Sequence, residues 1–276
     1  MAERSDRAPA RWRRPLLRWL DGVEAGWAVP LLIACFVAIW TLYLAIAYAG
    51  GGLHPDTLEA WTLGRNFAFG YHKHPPLMGW IATSWTSVFP LSDWSLQLMA
   101  MVNAGLALFF VDCIARQFVT GHKRILVLLL LMLTPAYQFH AQRFNANTVL
   151  LATWPLATWC FLRAFETRSA SWAVAAGCTT ALAMLGKYYS IFLVASFAFA
   201  ALAHPVVIDH LQKLGVGAVE LMPINAWIDE RHLPPLGLRN AWGYNPVSYF
   251  AIDPRLAPGG MAELRETVAA LHEAGI

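Results

Sequence analysis

The chain has 276 residues, of which 58% are hydrophobic and only 13% charged, and its mean hydropathy is +0.46. Soluble domains carry about 25% charged residues, so this composition excludes an ordinary soluble globular protein. The net charge of +3 is small and unevenly placed, and thirteen tryptophans suit a membrane–water interface.

Residues 1–26 carry Arg4, Arg7, Arg11, Arg13, Arg14 and Arg18 immediately ahead of an apolar run. A basic flank beside a span marks the cytoplasmic side rather than a nucleic-acid arm. The run from Trp27 to Ala49 is uncharged and long enough to cross a bilayer. It is too long for a signal-peptide core and lacks a cleavage site, so it is expected to stay in place. Residues 50–75 form a polar loop bearing glycines and histidines. Pro76 to Phe89 is a short apolar stretch with Trp80 and Trp85, which suits a helix lying at the interface.

Further spans are expected over Ser95 to Ala115, Ile125 to Phe139, Thr148 to Leu162, Trp172 to Gly186 and Tyr188 to Ala203, about six in all. Cys35, Cys113, Cys160 and Cys178 lie in these apolar segments without metal-ligand spacing and read as small buried hydrophobes. Arg116, Lys123 and Arg124 follow one span, and Arg163 and Arg168 follow another, so both loops belong on the cytoplasmic side. The 50–75 loop, the Gln142 to Asn147 turn and Lys187 then share the opposite face.

At His204 the character of the chain changes to that of a soluble α/β protein. Val207, Ile208, Leu211 and Leu214 recur at helical spacing, with Gly215 placed to end the helix. Val216 to Ile224 reads as a buried strand. Met261 to Ala274 reads as an amphipathic helix stopped by Gly275.

Two family resemblances follow from residue strings in the two parts. Asp56-Thr57-Leu58-Glu59-Ala60-Trp61, then Gly70-Tyr71-His72-Lys73-His74-Pro75-Pro76-Leu77, resembles the first extracytoplasmic loop of the dolichyl-phosphate-mannose-protein mannosyltransferase and aminoarabinose-transferase-like family. The likeness continues through Gln142-Arg143-Phe144-Asn145 and Gly186-Lys187-Tyr188, over residues 25–204. It implies a mainly α, polytopic membrane helix bundle of the C-type glycosyltransferase architecture. It also implies a polyprenyl-phosphate-linked sugar as donor, membrane lipids as surroundings, and the bacterial inner membrane as location, with the catalytic loop on the periplasmic side. That architecture has more spans than this chain, so a truncated domain over 27–204 with weak or no transfer activity is expected.

The tail, 205–276, is similar to isoamylase-type glycogen debranching enzymes of the α-amylase family. Leu214-Gly215-Val216, Val219-Glu220-Leu221-Met222-Pro223 and Gly237 to Asn245 carry that likeness. It implies a partial α/β segment of a (β/α)₈ barrel without the nucleophile and acid/base, hence no hydrolase activity, with Glu220 and Asp253 as scaffold positions. Tyr244 matches an aromatic that stacks on sugar in that family and is vestigial here. The meeting of the two at Leu202-Ala203-His204-Pro205 suggests a chimera of two truncated reading frames.

The transfer chemistry needs a carboxylate to take the acceptor proton and positive charge to receive the departing phosphate. Asp56 falls on the acidic position of the membrane family and is the expected base. Taken by itself it also suits an N-cap for a helix starting at Thr57, with Glu59 in the capping-box place. Glu59 could share a metal with Asp56 or sit on a solvated helix face. His72, Lys73 and His74 form a cluster able to bind phosphate or to be a plain polar loop. Relatives often carry an acidic residue at Lys73, which weakens a transferred metal role, and a divalent cation is left open. Lys187, alone between apolar segments, is costly at a membrane and points to the donor phosphate, with snorkelling as the alternative. Arg143 could assist it or anchor the interface. Asn145 and Asn147 are placed to cap the helix that follows.

Overall fold

The computed structural model describes residues 13–221, 223–237, 239–240 and 245–276. The chain forms two compact units, Met1–Lys187 and Tyr188–Ile276.

The first unit contains α1 (Arg13–Glu24), α2 (Ala28–Ala47), α3 (Pro55–Gly64), α4 (Leu77–Val88), α5 (Asp93–Phe118), α6 (His122–Met132), α7 (Ala146–Thr167) and α8 (Ala170–Gly186). Among the described residues of the chain, α2, α5 and α7, with 20, 26 and 22 residues, are long and apolar enough to cross a membrane. The remaining expected spans are shorter. α8 has 17 residues. α6 has 11, which reach only about 17 Å of a hydrocarbon core about 30 Å thick. The expected span from Ile125 to Phe139 stops early because Pro135 draws Thr134 into extended backbone (ψ 141°), and a single 3₁₀ turn, Pro135–Tyr137, follows.

Helix α5 is the spine of this unit. It packs against α2 on one side and α7 on another, and α7 packs along α8. Small residues allow the close approach that membrane helices rely on. Ala100, Ala104 and Ala107 of α5 are fully buried, and a Cβ on Gly105 would lie 2.7 Å from Val37 Cγ2 of α2. Two apolar clusters result. One joins Val29, Ile33 and Phe36 to Met101, Leu108 and Leu128. The other joins Ala60, Met78 and Ala82 to Leu96, Phe144 and Val149.

Polar ties lock the helices in place. Asn103 of α5 donates through Nδ2 to the Thr148 carbonyl of α7 at 2.7 Å. About 14 Å further along α5, the fully buried Asp112 accepts from Arg116 Nε at 2.9 Å and from Arg124 Nη2 of α6 at 2.8 Å. Two of the three basic residues expected in one cytoplasmic loop, Arg116 and Arg124, thus converge on one carboxylate.

The short helices α3 and α4 cross at two glycines. A Cβ on Gly64 would fall 2.2 Å from the Gly79 carbonyl oxygen, so only glycine permits this approach. The crossing fixes the loop between them. Trp80 stacks on Phe67 at 5.3 Å and donates its indole N–H to the Ala68 carbonyl at 3.0 Å.

The second unit contains α9 (Ser190–Leu202), α10 (Pro205–Lys213), β1 (Asn225–Trp227), β2 (Pro246–Ile252) and α11 (Gly260–Glu273). α9, at 13 residues, is too short to span alone. α10 and α11 lie where the helical spacing places them. Gly215 and Gly275 end them with φ of 72° and 77°, the left-handed conformation that glycine adopts without strain. The expected strand from Val216 to Ile224 does not form among the described residues. A buried parallel strand is held by neighbours on both sides, and the only sheet described here is an irregular antiparallel pair of β1 with β2. No parallel barrel strand is present among the described residues. Asp253 organises this pair: it accepts from Arg255 Nε at 2.7 Å, while the Arg255 guanidinium lies 4.2 Å from the Trp227 ring centroid. Glu220 is exposed. Tyr244 lies outside the described residues.

Candidate functional site

Helix α3 follows α2 after seven intervening residues, and its start is set by Pro55 at the first helical position. The N-cap is therefore His54, not Asp56. His54 Nδ1 accepts the Asp56 backbone N–H at 3.2 Å. With Nδ1 used as an acceptor, the ring proton sits on Nε2. The 3.7 Å separation of Nδ1 from Asp56 Oδ1 is then not an ion pair. Relieved of capping, the Asp56 side chain is half-exposed in the first turn, where the helix dipole favours a negative charge.

A second helix start meets it there. Asn145 caps α7: its Oδ1 accepts from Asn147 N at 2.8 Å and Thr148 N at 3.0 Å, and its own N–H donates to Thr148 Oγ1 at 2.8 Å. Asn145 Nδ2 donates to Asp56 Oδ2 at 2.8 Å, across 89 residues of sequence. Beside this contact the Phe144 N–H donates to the hydroxyl of the buried Thr57 at 3.1 Å. The ends of α3 and α7 are thus joined by two hydrogen bonds. Lys187, at the C-cap of α8, donates through Nζ to Asn147 Oδ1.

The loop between α3 and α4 brings the remaining groups. Lys73 Nζ donates to Glu59 Oε1 at 3.0 Å, and His74 Nε2 lies 3.7 Å from Glu59 Oε2. Burial pushes the His74 imidazole below its ordinary range. Glu59 pulls it up, Lys73 and Lys187 push it further down, and Asp56 pulls it up. His74 is therefore neutral near neutral pH, and the positive charge of the site resides on lysines and arginine. Tyr71 binds the loop to itself, its N–H donating to the His74 carbonyl at 3.0 Å. Its hydroxyl is buried without a hydrogen-bond partner among the described residues, and burial raises its pKa. Arg143 is exposed, and its guanidinium has no partner among the described residues. His72 is also exposed.

Asp56, Glu59, Lys73, His74 and Lys187 therefore gather at one end of the first unit, Asp56 and Lys187 linked through Asn145 and Asn147, and Lys73 and His74 set beside Glu59. Glu59 holds Lys73. No three His, Cys, Asp or Glu side chains converge to hold a metal ion among the described residues. The spacing of Asn145 and Thr148 signals a cap, but the second use of Asn145, as the donor to Asp56, depends on tertiary contact and leaves no local trace.

Residues 73–227, more than half of the chain, match the dolichyl-phosphate-mannose-protein mannosyltransferase family. The chain belongs to that family. Membership and the three long apolar helices make it an integral membrane protein of glycosyltransferase type. The mannosyltransferase-family match includes Lys73, His74, Arg143 and Lys187, and it runs on into the second unit.

Glycogen debranching enzymes are also similar over a short stretch. The chain is 54% identical over 80 residues to that of Dickeya chrysanthemi, and 55% over 80 residues to that of Pectobacterium carotovorum. It is 49% identical over 83 residues to that of Yersinia pestis. Each match covers 28% of this chain and 12% of the relative, so the chain spans about an eighth of those enzymes. This mannosyltransferase-family chain is thus joined to a debranching-like stretch, a chimera of two unrelated likenesses. No solved structure matches it.

Proposed function

We propose that the first unit carries the base and donor-phosphate end of a glycosyltransferase that moves a sugar from a polyprenyl phosphate to a lipid, glycan or protein hydroxyl. The observation that carries this is the meeting of Asp56 with Asn145, and of Lys187 with Asn147, at one helix start. Asp56 Oδ1, the oxygen not held by Asn145, accepts the acceptor's proton as its oxygen bonds to the anomeric carbon. The bond from that carbon to the phosphate oxygen breaks, and the lipid phosphate leaves with the electron pair. Lys187 and Arg143 receive its charge. Lys73 is neutralised by Glu59 and serves to hold the loop, and neutral His74 is available as a hydrogen-bonding group. The location that suits this chemistry is the bacterial inner membrane, with Asp56 on the periplasmic side. The debranching-like stretch is assigned no separate hydrolase activity.

Lys187→Met is expected to lower single-turnover release of radiolabelled sugar from a polyprenyl-phosphate donor by about 10²–10³-fold. Lys187→Arg retains most of the rate because the charge stays in place. Equal rates for the Met and Arg variants would remove Lys187 from the donor site, and absence of turnover by the unmodified chain in membranes would remove the activity altogether.

A further inference from the structure

A capping asparagine normally leaves its amide nitrogen to solvent. In Asn145 both ends of the amide are used. Its Oδ1 is committed to the N–H groups of Asn147 and Thr148 at 2.8 and 3.0 Å, which fixes the amide so that Nδ2, at 2.8 Å, can only face Asp56 Oδ2. The reciprocal bond from Asn145 N–H to Thr148 Oγ1 at 2.8 Å holds the residue's backbone as well. Thr57, next to Asp56, is fully buried and accepts the Phe144 N–H at 3.1 Å, so the carboxylate and the amide are each mounted on fixed backbone.

We infer that Asn145 is a positioning residue: the cap of α7 orients the Asp56 carboxylate, holding Oδ2 so that the unengaged Oδ1 is presented to the acceptor hydroxyl. The assignment rests on Asp56 being the base. An ionised carboxylate only accepts hydrogen bonds, and the donor on Oδ2 fixes the plane of the group while Oδ1 accepts no hydrogen bond among the described residues. The neighbouring Asn147 extends the device. Its backbone N–H belongs to the cap and its Oδ1 accepts from Lys187, so one helix start sets the places of both the base and the cation. A base displaced by an ångström loses most of its effect, because proton transfer requires hydrogen-bond geometry.

Capping and positioning are separable by substitution. Asn145→Ser and Asn145→Thr keep an oxygen acceptor at the N-cap, where both residue types are favoured, but neither offers the Nδ2 donor. The full chain in membranes is assayed for single-turnover sugar release, with donor half-saturation and thermal melting measured in parallel. Both variants are expected to lose about 10²-fold in rate at saturating donor, with half-saturation and melting temperature held. Rates equal to wild type in these variants, or losses that follow the melting temperature, would overturn the assignment and leave Asn145 a cap only. Asp56→Asn, run alongside, separates the two claims. If it is silent, the base itself is misassigned; if it is inactive while Asn145→Ser is fully active, only the positioning role fails.

Discussion

Asp56→Asn is expected to lower sugar transfer by about 10²–10⁴-fold, the range a general base contributes. The amide is nearly isosteric, and α3 does not depend on the carboxylate for its start because His54 provides the cap. Folding is therefore preserved and the loss is chemical. The Asn145 contact survives in altered form, since the new amide oxygen accepts from Nδ2 as the carboxylate did. Donor affinity is expected to stay within about twofold, because the phosphate is met by Lys187 and Arg143 rather than by the base. The same change at the matching acidic residue of a full-length family member should give the same split between rate and affinity. Unchanged turnover in both would take Asp56 out of the mechanism.

Arg124→Ala is expected to destabilise the first unit by about 3 kcal/mol, the lower end of the range for breaking a buried ion pair. Asp112 is 0% exposed and Arg124 8%, so the carboxylate would be left in an apolar setting with Arg116 alone. Arg116 is nearly half exposed and its pairing is correspondingly weaker. The opposite outcome is expected of Asp112→Leu combined with Arg124→Leu. That pair removes the charge and its partner together, and replacement of buried ion pairs by apolar residues is often neutral or stabilising. Denaturation in detergent checks both. Equal stability of Arg124→Ala and wild type would show that this pair does not hold α6 to α5.

Much of the membrane part was legible because its signals are local. Three long apolar runs became α2, α5 and α7. Pro135 foretold the end of α6, yet the apolar residues beyond it outweighed the breaker in the pattern. Pro55 likewise marks a helix start one residue after His54, which leaves Asp56 free of the capping role. The Asp112–Arg124 pair is out of reach of any helical-spacing rule, since its members lie on different helices. Val216 to Ile224 illustrates the reverse failure. Its apolar run is suited to a buried strand, but a strand exists only where partners accept its hydrogen bonds. At the site, residue types were readable and pairings were not: Glu59 takes Lys73, Asn145 takes Asp56 and Asn147 takes Lys187.

The arrangement stands or falls on where two side chains lie relative to the bilayer. Single cysteines at positions 56, 116 and 187, in a chain whose four native cysteines are replaced, can be labelled in intact cells with a membrane-impermeant maleimide. Positions 56 and 187 are expected to react from the outer face and position 116 only after the membrane is opened. Labelling of 56 and 187 from opposite faces would contradict the proposed site.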